Sequence, residues 1–182
     1  MEIINELLPG LKLLQARSFK DDRGEFVKTY NDEAFKALEM PLVPREIVFS
    51  VSRKDVVRGM HFQTPESDHQ KLVTCASGCI IDVVVDIRKG SPTYGEHAAY
   101  ELTEENRHTL LVPRGFAHGF LALEEKSLVS YCTDTGHDPQ RDSGIRWNSF
   151  GYDWPVADPI VSEKDQNLVG LSEYESPFQF EL

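Results

Sequence analysis

Two segments carry residues able to move protons: Arg58-Gly-Met-His-Phe-Gln63 and Pro113-Arg-Gly-Phe-Ala-His-Gly-Phe120. Each lies among alternating apolar residues, so each reads as a strand that carries a histidine, His61 or His118, inward. A neutral imidazole is a natural general base, with an unperturbed pKa of about 6.5. A buried carboxylate beside it would orient the ring and stabilise the imidazolium. Arg58 precedes His61 by three residues, which on a regular strand places the two on opposite faces. A bulge at Gly59 would bring them together, making Arg58 an anion ligand and His61 a base. The alternative is a structural histidine hydrogen-bonded within a barrel.

Other polar residues interrupt apolar runs. Lys71 opens a strand after a polar loop that contains His69. It is either a surface lysine at a strand end or a cation held beside a developing oxyanion. His69 itself, in that loop, is expected to be exposed. Asp82 and Asp86 lie among valines, an even number apart and so on one face. Buried carboxylates need partners, and His118 or Lys71 could serve. Tyr131 is either a core aromatic or a phenol that donates a proton.

These residues must be held by strands. The segments 46–52, 70–76, 79–88, 109–113, 116–123 and 127–133 are apolar and rich in β-branched residues. Ser77-Gly78 reads as a hairpin turn, and Arg114-Gly115 as another turn. Asn31 is a plausible N-cap for a short helix, with acids in its first turn and Phe35 and Leu38 on one face. Short strands at this spacing predict an all-β sandwich or barrel of the jelly-roll kind. From about 144 to 182 the chain is irregular and holds Trp147 and Trp154. This extension is expected to pack on the barrel, because tryptophan is costly to leave in water.

The chain has 182 residues, 40% of them hydrophobic, which suits a single domain with a real core. A formal charge of -11 argues against nucleic-acid and anionic-membrane partners. An anionic substrate would need a local cationic pocket. Cys75, Cys79 and Cys132 have no zinc spacing and read as reduced thiols of a cytoplasmic protein. The opening residues lack a basic region and a long apolar core, so no signal peptide is expected.

The Pro113-x-Gly-x-x-His118 pattern resembles the second half of the cupin signature, in which the histidine is a metal ligand. The first half normally supplies two further histidines, and here only His61-Phe62-Gln63 stands there, too few ligands for a metal site. The longer segments Asp22-Arg-Gly-Glu-Phe26, Val57-Arg-Gly-Met-His-Phe-Gln63, Gln70-Lys-Leu-Val73, the Asp82–Thr93 stretch, Val112 to Phe120, Tyr131, Ile145-Arg-Trp-Asn148 and Ser162-Glu-Lys-Asp165 resemble the dTDP-4-dehydrorhamnose 3,5-epimerases and related epimerases of nucleotide-linked 4-keto sugars. They run in the family's order over nearly the whole chain.

The resemblance implies a cupin-like jelly roll that works without metal or cofactor, in a homodimer whose N-terminal strands exchange between subunits. It implies epimerisation at C3, C5 or both of a nucleotide-diphosphate-linked 4-keto-6-deoxysugar, in deoxysugar and surface-polysaccharide synthesis. By motif, His61 would be the base, oriented by Asp165; Lys71 would hold the enolate; Tyr131 would protonate the opposite face. Arg23 and Arg58 would bind the diphosphate, and Phe26, Lys28, Ser50, Gln63, Asp82 and His118 would complete the substrate pocket. The rival readings are a metal-dependent cupin and a 3,4-ketoisomerase. The chain departs from the family at Lys28 (usually glutamate), Val48-Phe-Ser50 (usually Gln-x-Asn), Cys132 (usually lysine) and Gly136-His137 (usually a tyrosine pair). A lysine in place of an acceptor would suit cytosine better than thymine, so one reading is a CDP-linked substrate; the other is that Lys28 adds a diphosphate contact or lies outside the pocket.

Overall fold

The computed structural model describes residues 1–181. In chain order the elements are β1 (Glu2–Asn5), β2 (Lys12–Gln15), β3 (Arg17–Asp21), β4 (Gly24–Lys28), α1 (Asp32–Ala37), β5 (Glu46–Ser52), β6 (Val56–Gln63), β7 (Lys71–Ser77), β8 (Cys79–Asp86), β9 (His97–Thr103), β10 (His108–Val112), β11 (Phe116–Ala122), β12 (Ser127–Thr133), β13 (Asp142–Gly144), β14 (Ile160–Val161) and α2 (Glu163–Gln166), followed by one short 3-10 turn. One sheet has the order β1-β2-β10-β7-β12-β5. The facing sheet has the order β13-β6-β11-β8-β9, and β14 also pairs with β6. The β3–β4 hairpin forms a separate two-stranded sheet. Two largely antiparallel sheets closing on a shared core make a jelly roll of the kind that the strand spacing predicted, cupin-like as the resemblance implied.

Alternation along the strands sorts the apolar residues into layers. Val73, Cys75, Ile80, Val84, Phe116, Phe120 and Val129 fill the space between the sheets. Val57, Met60, Val83, Val85, Ala117 and Leu121 face outward from the second sheet, where the C-terminal segment covers them with Phe150, Trp154 and Phe178. Phe35 of α1 covers the outer face of the first sheet with Met40, Leu42 and Leu72. Burying each such side chain is worth about 1.5–3 kcal/mol. Asn31 caps α1 by accepting from the Ala34 N–H at 3.0 Å, as its sequence predicted.

Ser77-Gly78 does not form a hairpin. β7 belongs to the first sheet and β8 to the second, so the chain crosses the barrel there. Gly78 has φ +80, and its N–H is bound by Glu104 at 2.8 Å. The strand β9 gave little sequence signal, although Ala98, Tyr100 and Leu102 point inward. Among the described residues no helix is long and apolar enough to cross a membrane.

The contact that positions the site is β6 against β11. His61 pairs with His118, but Arg58 pairs with Phe120, so three steps on β6 match two on β11. The bulge expected at Gly59 is therefore present. Val57 and Met60, three apart, both face outward, and Arg58 and His61 both face in. The backbones meet closely here. A Cβ on Gly119 would lie 2.5 Å from the Arg58 carbonyl oxygen, and one on Gly59 would lie 2.5 Å from the Gly119 Cα. Overpacking of this kind costs about 1–3 kcal/mol. Gly119→Ala is accordingly expected to lower the thermal midpoint by several degrees, on the order of 2–4 °C per kcal/mol, as read by calorimetry. An unshifted midpoint would show that the strands separate without strain.

Candidate active site

The bulge places a cluster of ionisable groups at one end of the apolar barrel. A cavity of about 530 Å³ is lined by Arg58, His61, Lys71, His118, Tyr131 and Asp165, among others. A second cavity of about 460 Å³ shares His61, Lys71 and Tyr131 and adds Gln63, His69 and His137. The strands β6, β7, β11 and β12 supply these side chains from both sheets, and α2 supplies Asp165.

His61 Nε2 lies 2.6 Å from Asp165 Oδ1. The other carboxylate oxygen accepts from the Gly59 N–H at 3.3 Å. Burial pushes the Asp165 carboxyl up, but the bonds from His61, Gly59 and Ser162 outweigh it and hold the carboxyl below its usual range. An ionised carboxylate can only accept, so Nε2 carries the hydrogen and Nδ1 is left as the basic atom. Asp165 is held in place by its own short helix, where Ser162 Oγ accepts from the Asp165 N–H at 3.1 Å. Ser162-x-x-Asp165 is an N-capping pattern, and that signal in the sequence could have marked Ser162 as a positioning residue.

A second histidine–carboxylate pair lies deeper. His118 Nε2 is 2.8 Å from Asp82 Oδ2, and both residues are buried. Burial lowers the His118 pKa, with Asp82 opposing. Asp82 Oδ1 is buried with no hydrogen-bond partner, which leaves an acceptor near the Lys71 ammonium. Lys71 is only 9% exposed, so the surface-lysine reading falls. Burial pushes its pKa down to about 8, against the attraction of Asp82 and Asp142.

Tyr131 lies beside His118, with its ring 6.2 Å from the imidazole in an edge-on contact. Burial is the largest influence on the phenol and raises its pKa, while a hydrogen bond between the Ser50 and Tyr131 hydroxyls, at 3.3 Å, opposes the rise. The phenol therefore stays protonated. Arg58 Nε donates to Ser52 Oγ at 3.0 Å and leaves the rest of its guanidinium for the cavity. Lys164, bound to Asp142 at 2.5 Å, lines both cavities. Like Ser52, it gave no distinct sequence signal.

Two expectations, those for Asp86 and His69, are corrected. Asp86 does not join the cluster, because at the strand end its carboxylate is taken by Arg88, Ser91 and Thr93. His69 is not an exposed loop histidine. Both ring nitrogens are buried without partners, and burial, reinforced by the charges of Lys71 and Arg114, pushes its pKa down to about 3. Gln63 lines the second cavity, but its amide is committed to the protein: it donates to the Ser67 and Gly136 carbonyls and accepts from the Asp138 N–H at 2.6 Å. His137 lines the second cavity, and a Cβ on the preceding Gly136 would meet nothing within 4 Å. Arg23, Phe26 and Lys28 lie on the β3–β4 hairpin and line other, smaller cavities of their own chain. Among the described residues no three histidine, cysteine or carboxylate side chains converge as metal ligands.

This arrangement can do acid–base chemistry on two faces of one bound molecule. A family model described as dTDP-4-dehydrorhamnose 3,5-epimerase matches residues 5–173. The chain belongs to the dTDP-4-dehydrorhamnose 3,5-epimerase family. It is 43% identical to the family enzyme of that name from Methanothermobacter thermautotrophicus, over 93% of this chain and 94% of the other. It is 39% identical to that of Salmonella typhimurium, over 91% and 92%. Among solved structures, the Bacillus anthracis epimerase with TDP and pyrophosphate bound superposes with a TM-score of 0.90 at 38% identity, covering 93% of this chain and 98% of the other. The Legionella pneumophila enzyme in complex with dTDP-4-keto-L-rhamnose gives 0.94 at 30% identity, covering 100% and 99%.

The ammonium form of Lys71 is the one able to hold an oxyanion, and it is lost as pH rises through about 8. Turnover is expected to fall about tenfold per pH unit above that point. In Lys71→Arg, whose charge persists, the falling limb should move to higher pH. A wild-type profile flat to about pH 10 would exclude the ammonium from the chemistry.

Proposed function

We propose that the protein is an epimerase of a nucleotide-diphosphate-linked 4-keto-6-deoxysugar, inverting the carbons beside the ketone, C3 and C5, without metal or cofactor. The observation that carries this reading is the convergence of the His61–Asp165 pair, Lys71 and Tyr131 on one cavity that also holds Arg58. A ketone at C4 acidifies the C–H bonds at C3 and C5. His61 Nδ1 removes a proton, and the C–H electron pair moves into the enolate, whose oxygen is held by Lys71. Tyr131 returns a proton from the opposite face, inverting the carbon, and the ketone re-forms. Asp165 keeps the imidazole oriented and stabilises its charged form, an effect that suits a half-buried base at the mouth of an apolar barrel. Arg58 binds the diphosphate, and the paired Asp82 and His118 shape the inner wall. The ketone is its own electron sink, so the proposed inversion calls on no redox group, and the rival ketoisomerase would move the carbonyl to C3 and give a different product.

The proposed assembly is a homodimer. Ile47 and Phe49 are each 70% exposed on β5, an edge strand of the first sheet, and a bare apolar edge of this kind favours pairing. Exchange of the N-terminal strands would carry Arg23, Phe26 and Lys28 to the partner's cavity, where Arg23 adds a diphosphate contact and Phe26 an aromatic platform for the base. The acidic, disulfide-free chain suits a cytoplasmic enzyme. Lys28 favours a second reading of the nucleotide, because its ammonium offers a donor where cytosine has an acceptor.

Incubation in deuterated water with dTDP- and CDP-linked 4-keto-6-deoxyglucose, followed by NMR, tests the whole reading. Deuterium is expected at C3 and C5, with no loss of rate in chelator, and the faster of the two sugars identifies the nucleotide. His61→Asn should lower exchange by at least about a hundredfold. Full exchange in that variant would remove His61 as the base. Sedimentation should report a dimer, and Arg23→Ala should raise KM with little change in kcat. A monomer with full activity would overturn the exchange of strands.

A further inference from the structure

Ser50 is the one side chain that hydrogen-bonds the Tyr131 phenol among the described residues, with its Oγ 3.3 Å from the phenol oxygen. The two strands hold this contact rigidly. β12 and β5 pair antiparallel from Ser127↔Ser52 to Thr133↔Glu46 without a shift. Ser50 lies opposite Val129 and Tyr131 opposite Val48, so serine and tyrosine are diagonal neighbours on adjacent strands, within reach of a long side chain. Tyr131 packs against the apolar core, where a phenolate would find little solvation.

We propose that Ser50 is a positioning residue for the acid step: it donates its hydroxyl hydrogen to the Tyr131 oxygen, so that the phenol's own O–H points into the cavity. A hydroxyl both donates and accepts, and the direction of this bond decides whether the phenol hydrogen is spent on Ser50 or free for substrate. The inference rests on the reading of Tyr131 as the acid. In the step itself the Tyr131 O–H bond breaks and a C–H bond forms at the enolate carbon from the enolate electron pair. The negative charge passes to the phenol oxygen, where the Ser50 hydrogen bond meets it, until solvent water returns a proton to it and takes up the one held by the His61 imidazolium, so that no net proton is gained or lost. Hydrogen bonds to a charged oxygen are stronger than those to a neutral one, so Ser50 favours the transition state over the resting enzyme. The upward pressure of burial on the phenol, which Ser50 opposes, agrees with that role.

The test measures two events from one enolate in deuterated water: deuterium entering recovered, uninverted substrate, which needs only His61, and formation of inverted product, which also needs Tyr131. In Ser50→Ala the inversion rate is expected to fall roughly tenfold, the size of one hydrogen bond to a charged group, while exchange into recovered substrate persists. The exchange-to-inversion ratio then rises about tenfold, in the same direction as in Tyr131→Phe. Ser50→Thr, which keeps the hydroxyl, should restore the wild-type ratio. A serine that only supports the strand would lower both rates together, so an unchanged ratio in Ser50→Ala overturns the inference. Absence of any exchange by the unmodified enzyme overturns the underlying epimerase reading, and this inference with it.

Discussion

The bond between His61 and Asp165 joins residues 104 positions apart, and much of the chain is arranged to make it. His61 sits on a strand in the middle of a sheet, and its carboxylate arrives on a four-residue helix near the end of the chain. A helix so short has no stability of its own. It is held by the Ser162 cap, by β14 laid parallel on β6 immediately before it, and by the aromatic segment that seals the outer face of the second sheet. Trp154 Nε1 donates to the Trp147 carbonyl at 2.9 Å and so closes that segment on itself. The C-terminal extension is thus more than a cover for the barrel, since without it the imidazole has neither an oriented tautomer nor a counter-charge.

The barrel interior imposes opposite shifts on groups of opposite kind. Burial lowers the pKa of Lys71 and His118 and raises that of Tyr131, because it penalises the charged form of each. Asp165 is held in its charged form against burial, by three separate donors. The result is a neutral acid on one face and a carboxylate-backed imidazole on the other. Both occupy the same apolar frame, and the difference in their hydrogen bonds separates them. Asp82 with its free oxygen keeps a counter-charge beneath Lys71 without capturing it.

Much of this was legible in the sequence. Apolar, β-branched runs marked β5 to β8 and β10 to β12, including β5, whose apolar residues are largely exposed. The Arg58–His61 spacing with Gly59 between them announced the bulge. What failed was information carried by tertiary context. Ser77-Gly78 is a turn by composition whether its strands pair or diverge, so the crossing between sheets was invisible. Asp82 and Asp86 share a face, yet Asp86 stands at the strand end, where Ser91 and Thr93 fold back onto it. His69 sits in a polar loop, but the loop is folded down by Gln63 and packed over its own histidine. The short exposed strands β3 and β4 bury no face and so gave no periodic signal.

The β3–β4 hairpin stands apart from this frame. Phe19 and Phe26 are largely exposed on it, and its tie to the barrel includes the ion pair of Glu25 with Arg107 at 2.6 Å. None of its residues belongs to a buried core cluster. Residues on such a ribbon are free to drift, since a change at Lys28 disturbs no packing that the barrel needs in order to fold. The scaffold therefore sets two rates of change for two parts of one chain. The strands that hold His61 are locked by backbone contact at Gly59 and Gly119, while the ribbon can be rewritten one residue at a time.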